Sequence, residues 1–106
     1  MNILKMMEKV QEVQSRMESL QEDLARIEVE GVSGGGMVKA SMTCQHRLNS
    51  LSIDPSLVTA DDRGMLEDLI VAAINDAHSK AEETVRERTA GVAGELQLPP
   101  GLKLPF

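Results

Sequence analysis

A chain of 106 residues fits one domain near the lower end of the usual size range, and alone it buries only a modest share of its surface. Seventeen acidic against eleven basic residues give a net charge of −6, the wrong sign for a uniformly basic nucleic-acid binder, although binding uses local patches. The lone Cys44 excludes an intramolecular disulfide framework and points to a reducing cytosol, the amino terminus has no signal-peptide pattern, and no segment approaches the length of a membrane span.

Residues 3–27 form the first unit. Ile3, Met6, Val10, Val13, Met17, Leu20, Leu24 and Ile27 follow alternating steps of three and four, an a/d heptad pattern without a miss. Glu12 and Arg16 stand as a supporting i,i+4 pair. Such a helix is about 37 Å long, against a radius of gyration of about 13 Å for a compact chain of this size. It is expected to project as an arm, its apolar seam covered by other helical segments.

Residues 28–36 leave the helix. Val29 and Val32 allow a short strand, and Gly34, Gly35 and Gly36 supply a tight turn. The glycine run lacks the Lys-Ser/Thr of a phosphate loop, and a strand pattern follows it, so a hairpin is expected. Residues 37–45 alternate cleanly, with Val38, Ala40, Met42 and Cys44 on one side. Residues 46–53 form another strand through Leu48, Leu51 and Ile53, and the three-residue step from Leu48 to Leu51 suggests a bulge. Asp54-Pro55 ends the sheet, with Leu57 and Val58 expected to pack against the core.

Thr59, Asp61 and Asp62 are candidate N-caps for a second helix over about 62–90. That helix is expected to stop at Gly91, with Arg86 and Arg88 near its negative end. Within it, Leu66, Leu69, Ile70, Ala73, Ile74 and Ala77 form a buried stripe, and Val71 and Ala72 fall beyond its flanks. A helix apolar on two sides needs two surfaces, and the second is assigned to a partner copy through Leu66, Leu69, Ile70, Val71, Ala73 and Ile74. Residues 91–106 carry three prolines and read as an extended tail that either docks Leu102, Leu104 and Phe106 on a groove or stays mobile.

Four segments in this order resemble the YbaB/EbfC family of small bacterial nucleoid-associated proteins. They are Glu28-Val29-Glu30-Gly31 with Gly34-Gly35-Gly36, Ile53 to Leu57, Met65 to Ala77, and Leu98-Pro99-Pro100-Gly101 through Pro105-Phe106. The resemblance spans nearly the whole chain. It implies an α+β fold of order α-β-β-β-α with a three-stranded antiparallel sheet and a long N-terminal helical arm. It also implies a tight homodimer, its central helices lying between two sheets and its arms projecting like tweezers. Members are described as binding duplex DNA with little sequence preference, which puts this chain at the nucleoid in a bacterial cytoplasm.

Catalysis is not expected, because nothing pairs His46 or His78 with a nucleophile, and Cys44 alternates with core residues. No cofactor or metal is expected either: Asp61 and Asp62 lack calcium-loop spacing, and Glu82 and Glu83 read as a solvated face. The candidate DNA contacts are Lys5, Lys9 and Arg16 near one face of the arm, Lys39 and Arg47 in the only net-positive stretch, and Arg86 and Arg88 in the second helix. Each also has a bland reading as a solubilising charge. The lack of Trp and Tyr, with Phe106 the one Phe, disfavours single-strand binding, which relies on stacking. The competing reading is a protein-interaction module in DNA repair or replication, holding its partner through the heptad arm and the proline-rich tail.

Overall fold

The computed structural model describes residues 2–95, ordered as α1 (Ile3–Arg26), β1 (Glu28–Ser33), β2 (Val38–Thr43), β3 (Leu48–Ile53) and α2 (Arg63–Glu95). Short 3-10 turns at Gly34–Gly36 and Pro55–Leu57 join the elements. Asn2 caps α1, its side-chain oxygen accepting from the Leu4 N–H at 3.0 Å. The three strands form one antiparallel sheet in the order β1-β2-β3. The hairpin between β1 and β2 turns on Gly34, Gly35 and Gly36, all at positive φ, as the glycine run predicts. The expected irregularity in the last strand is also present: Met42 pairs with Leu48 and Ser41 with Ser50, leaving Asn49 as the extra residue.

Two apolar clusters hold the molecule together. In the first, Val38, Ala40 and Met42 of β2 face Ala73, Ala77 and Ala81 of α2, with Leu57 closing one end. The helix residues here are small because the helix lies close to the sheet. A Cβ at Gly31 would overlap the carbonyl oxygen of Ala73 and the backbone nitrogen of Ala77. In the second cluster, Met17, Leu20 and Leu24 of α1 enclose Cys44, with Val85 and Val92 of α2 against them. The Cys44 N–H donates to the carbonyls of Leu24 and Ile27 at 3.1 and 3.0 Å, tying the end of α1 to the sheet.

Side chains of α2 also cover the outer edge of β1, where unpaired backbone groups would invite another strand. The Val32 N–H donates to Asp76 Oδ2 at 2.9 Å, Lys80 Nζ donates to the Glu30 carbonyl at 2.8 Å, and Asp76 and Lys80 pair at 3.0 Å. The Ser33 hydroxyl donates to the Leu69 carbonyl at 2.6 Å.

Four expectations are corrected. First, α2 does not stop at Gly91; it runs on to Glu95. Glycine inside a helix costs about 0.5–1 kcal/mol, and here Val92 packs on the α1 cluster while Glu95 Oε2 meets Arg16 Nη1 at 3.2 Å. Arg86 and Arg88 therefore lie well before the helix end. Second, Arg16 takes this cross-helix partner rather than Glu12, which pairs with Lys9 at 3.9 Å. Third, Leu57 is buried but Val58 is exposed. Fourth, the arm's seam is covered only towards its C-terminal half: Ile3, Met6 and Val10 are exposed. The part of the tail expected to dock lies outside the described residues.

The molecule measures 70 × 22 × 16 Å, with a radius of gyration of 19.4 Å. A compact chain of this length would be near 13 Å, so the projecting arm expected from the helix length is present.

Candidate nucleic-acid interface

The outer half of α1 carries Lys5 and Lys9, both solvent-exposed, beyond the point where the described part of α2 ends beside Arg16. Arg16 and Arg88 come together in a cleft of about 280 Å³ between the two helices, lined also by Asp23, Glu87 and Glu95. The three carboxylates there outnumber the two guanidinium groups, so the cleft carries no net positive charge. Lys39 stands on the sheet face away from α2, between Val32 and Ser52 on the neighbouring strands. Arg47 sits in the turn between β2 and β3, and Arg86 is exposed on α2. The seven cations thus share no single patch. They spread along the arm, the open sheet face and the distal part of α2.

The six residues assigned to a partner copy divide. Ala73 packs wholly inside its own chain, which removes it from any surface a partner could touch. Leu66, Leu69, Ile70 and Ile74 are partly buried against the first cluster, and Val71 is 58% exposed. Asp76 and Lys80 hold one flank of α2 to β1, so the opposite flank, bearing Ile70, Ile74 and Val71, looks towards β3. There Leu48 and Leu51 share the sheet face of Met42 and Ala40 but are left exposed, because α2 lies over β1 and β2. Together they form an apolar ledge beside the helix. Its β3 half was missed in the sequence, since alternation alone marks Leu48 and Leu51 as core.

Cys44 is buried, and loss of solvent pushes its thiol pKa up, opposed by a hydrogen bond from Thr84 and the charge of Arg88. It is a packing residue, held as the neutral thiol. His46 and His78, which the sequence leaves unrelated, meet with ring centroids 4.4 Å apart. The sequence signal for this meeting is slight: His78 and Glu82 are one helical turn apart, but nothing in the chain announces that the β2–β3 turn reaches them.

A family model matches residues 1–96 and is that of the YbaB/EbfC DNA-binding family. The chain belongs to this family. A YbaB/EbfC protein is a nucleoid-associated DNA-binding protein, and the family is defined by binding rather than by catalysis. The fold agrees with that of a solved structure, an uncharacterized protein, HP0035, from Helicobacter pylori. The two share 24% sequence identity with a TM-score of 0.77, and the match covers 89% of this chain and 99% of the other. Among the described residues no helix is long and apolar enough to cross a membrane. This member is acidic, and its candidate cations are divided among the projecting arm, the open sheet face and the distal part of α2.

Proposed function

We propose that this chain is a homodimeric nucleoid-associated protein of the bacterial cytoplasm that binds duplex DNA with little sequence preference, organising the nucleoid and thereby affecting gene expression. The projection of α1 beyond the core, with Lys5 and Lys9 on its outer half, carries this reading alongside family membership. Two arms of a dimer straddle a duplex and set lysine and arginine side chains against phosphates, a contact that ignores base sequence. The apolar ledge of Leu48, Leu51 and Val71 supports the dimer, because a two-fold partner would bring the same apolar surface to cover it. Fluorescence anisotropy of a labelled duplex, titrated at low and physiological salt, tests the reading. If a dimer neutralises about four phosphates, log K falls with log salt at a slope of about −3.6. Saturable, salt-sensitive binding supports the clamp, and salt-independent affinity overturns it.

A second reading draws on one observation. Ile3, Met6, Met7 and Val10 line an apolar groove of about 460 Å³ at the arm's outer end, and Ile3 is 72% exposed. Such a face suits a partner helix from a repair or replication protein. No DNA binding at low salt, with capture of such a partner, would favour it.

A further inference from the structure

We propose that His46, His78 and Glu82 form a binding site for a divalent transition-metal ion of the zinc class, which ties the β2–β3 turn to α2. One ligand atom from each residue lies within 4.8 Å of the other two, and all three side chains are solvent-exposed. On α2, His78 Nδ1 and Glu82 Oε1 are 3.5 Å apart. Two ligands on a tetrahedral zinc with bonds of 2.0–2.1 Å are separated by about 3.3 Å, so this pair already has the spacing of one tetrahedral edge. His46 needs a shift of less than about 2 Å to complete three ligands at that separation, within the reach of an exposed side chain.

The two elements that carry the ligands are independently fixed. The turn is held by Thr43, whose N–H donates to the Arg47 carbonyl at 2.9 Å and whose carbonyl accepts from the His46 N–H at 2.9 Å. The Thr43 hydroxyl oxygen accepts from the N–H groups of Gln45 and Arg47 at 3.3 and 3.2 Å. Within this turn His46 adopts a left-handed backbone, φ 66°, which histidine tolerates better than most residues. On the other side, Ala77 and Ala81 seat α2 on the sheet immediately beside His78 and Glu82. Two imidazoles and one carboxylate are the donor set of three-ligand zinc sites that leave a fourth position for water. The nitrogen ligands select zinc, cobalt, nickel or copper over magnesium and calcium, which take oxygen. Bound here, the ion cross-links positions 46 and 82 and opposes separation of the β2–β3 hairpin from the helix. This inference does not depend on how the protein engages DNA.

The test is competition of the full-length protein against a chromophoric zinc chelator, with thermal unfolding followed with and without zinc chloride. One zinc per chain and a higher Tm with zinc are expected. His46→Ala, His78→Ala and Glu82→Gln should each weaken binding by more than the about 10–100-fold that loss of a supporting group costs, and should abolish the rise in Tm. Because the three side chains are exposed, the variants should keep the wild-type circular dichroism. Cobalt(II) substitution reports the ligands independently: d–d bands without a thiolate charge-transfer band are expected. Zinc affinity unchanged by these substitutions, no stoichiometric binding, or a thiolate band implicating Cys44 would overturn the site.

Discussion

Gly31 lies directly against Ala77, strand backbone to helix backbone, with no space for a side chain between them. A methyl group there would meet the Ala73 carbonyl and the Ala77 nitrogen, neither of which can swing aside. Overpacking of a fitted core costs about 1–3 kcal/mol, occasionally more. Gly31→Ala should therefore lower Tm by roughly 4–8 °C for each kcal/mol lost. An unchanged urea midpoint would show that α2 does not pack on β1 this closely.

Asp76 links stability to pH. The Val32 N–H, and next the Lys80 ammonium, hold its carboxyl below the ordinary aspartate value of 3.8. A carboxylate whose folded pKa is lowered contributes stability that is complete above its unfolded pKa and lost as pH falls through the lowered folded value. The advantage of wild type over Asp76→Ala should thus be present at pH 6 and shrink below pH 3.8. Urea unfolding at the two pH values reads this directly. A gap that widens on acidification would contradict the assigned hydrogen bonds.

The arm is anchored at its base by Leu24, which is 2% exposed. Leu24→Ala should cost about 2–5 kcal/mol and speed amide exchange at the C-terminal end of α1 and near Cys44, more than in the helix–sheet cluster around Ala77. Equal effects on both clusters would mean that the arm and sheet unfold as one unit.

If the ledge beside α2 is the dimer surface, a charge placed on it should split the dimer. Val71→Glu, or Leu51→Asp on the facing strand, is expected to give a monomer in sedimentation equilibrium at concentrations where wild type is dimeric. A ledge that tolerates both charges without change of mass is not the interface.

Charge reversal separates the two functional readings. Lys5→Glu with Lys9→Glu and Arg16→Glu should abolish duplex binding in the anisotropy titration, while changes at Lys39, Arg47, Arg86 and Arg88 identify which of the remaining cations meet phosphate. Arg16 also pairs with Glu95 and Lys9 with Glu12, so Lys5→Glu alone reports on phosphate contact with both pairs left in place. Full DNA affinity after reversal of all three arm charges would reject the arms as the binding element.

The α-β-β-β-α order was legible because its signals are local: the heptad steps of α1, the alternation through Val38, Ala40 and Met42, the glycine turn, and the bulge announced by Leu48 and Leu51. The end of α2 was not. Gly91 is a sound stop signal by itself, yet packing by Val92 and the Arg16–Glu95 contact carry the helix past it. Of the candidate site, each cation was legible as exposed, but not the pairing of Arg16 with Glu95 or the acidic lining it shares with Arg88.

By itself the sequence determined the periodicities, and through them the identity and order of the elements, because helix and strand geometry impose repeats that a linear chain must carry. It also determined that α2 has apolar residues beyond one stripe. Only the tertiary structure decided that Ala73 is buried within its own chain while Val71, Leu48 and Leu51 are exposed. The tertiary structure alone brought His46 to His78 and Glu82. Which flank of a helix stays open, and which distant side chains meet, depends on how the helix crosses the sheet. Here the crossing is set by the contact of Gly31 with Ala73 and Ala77 and by Asp76 at the edge of β1, long-range contacts that no local repeat encodes.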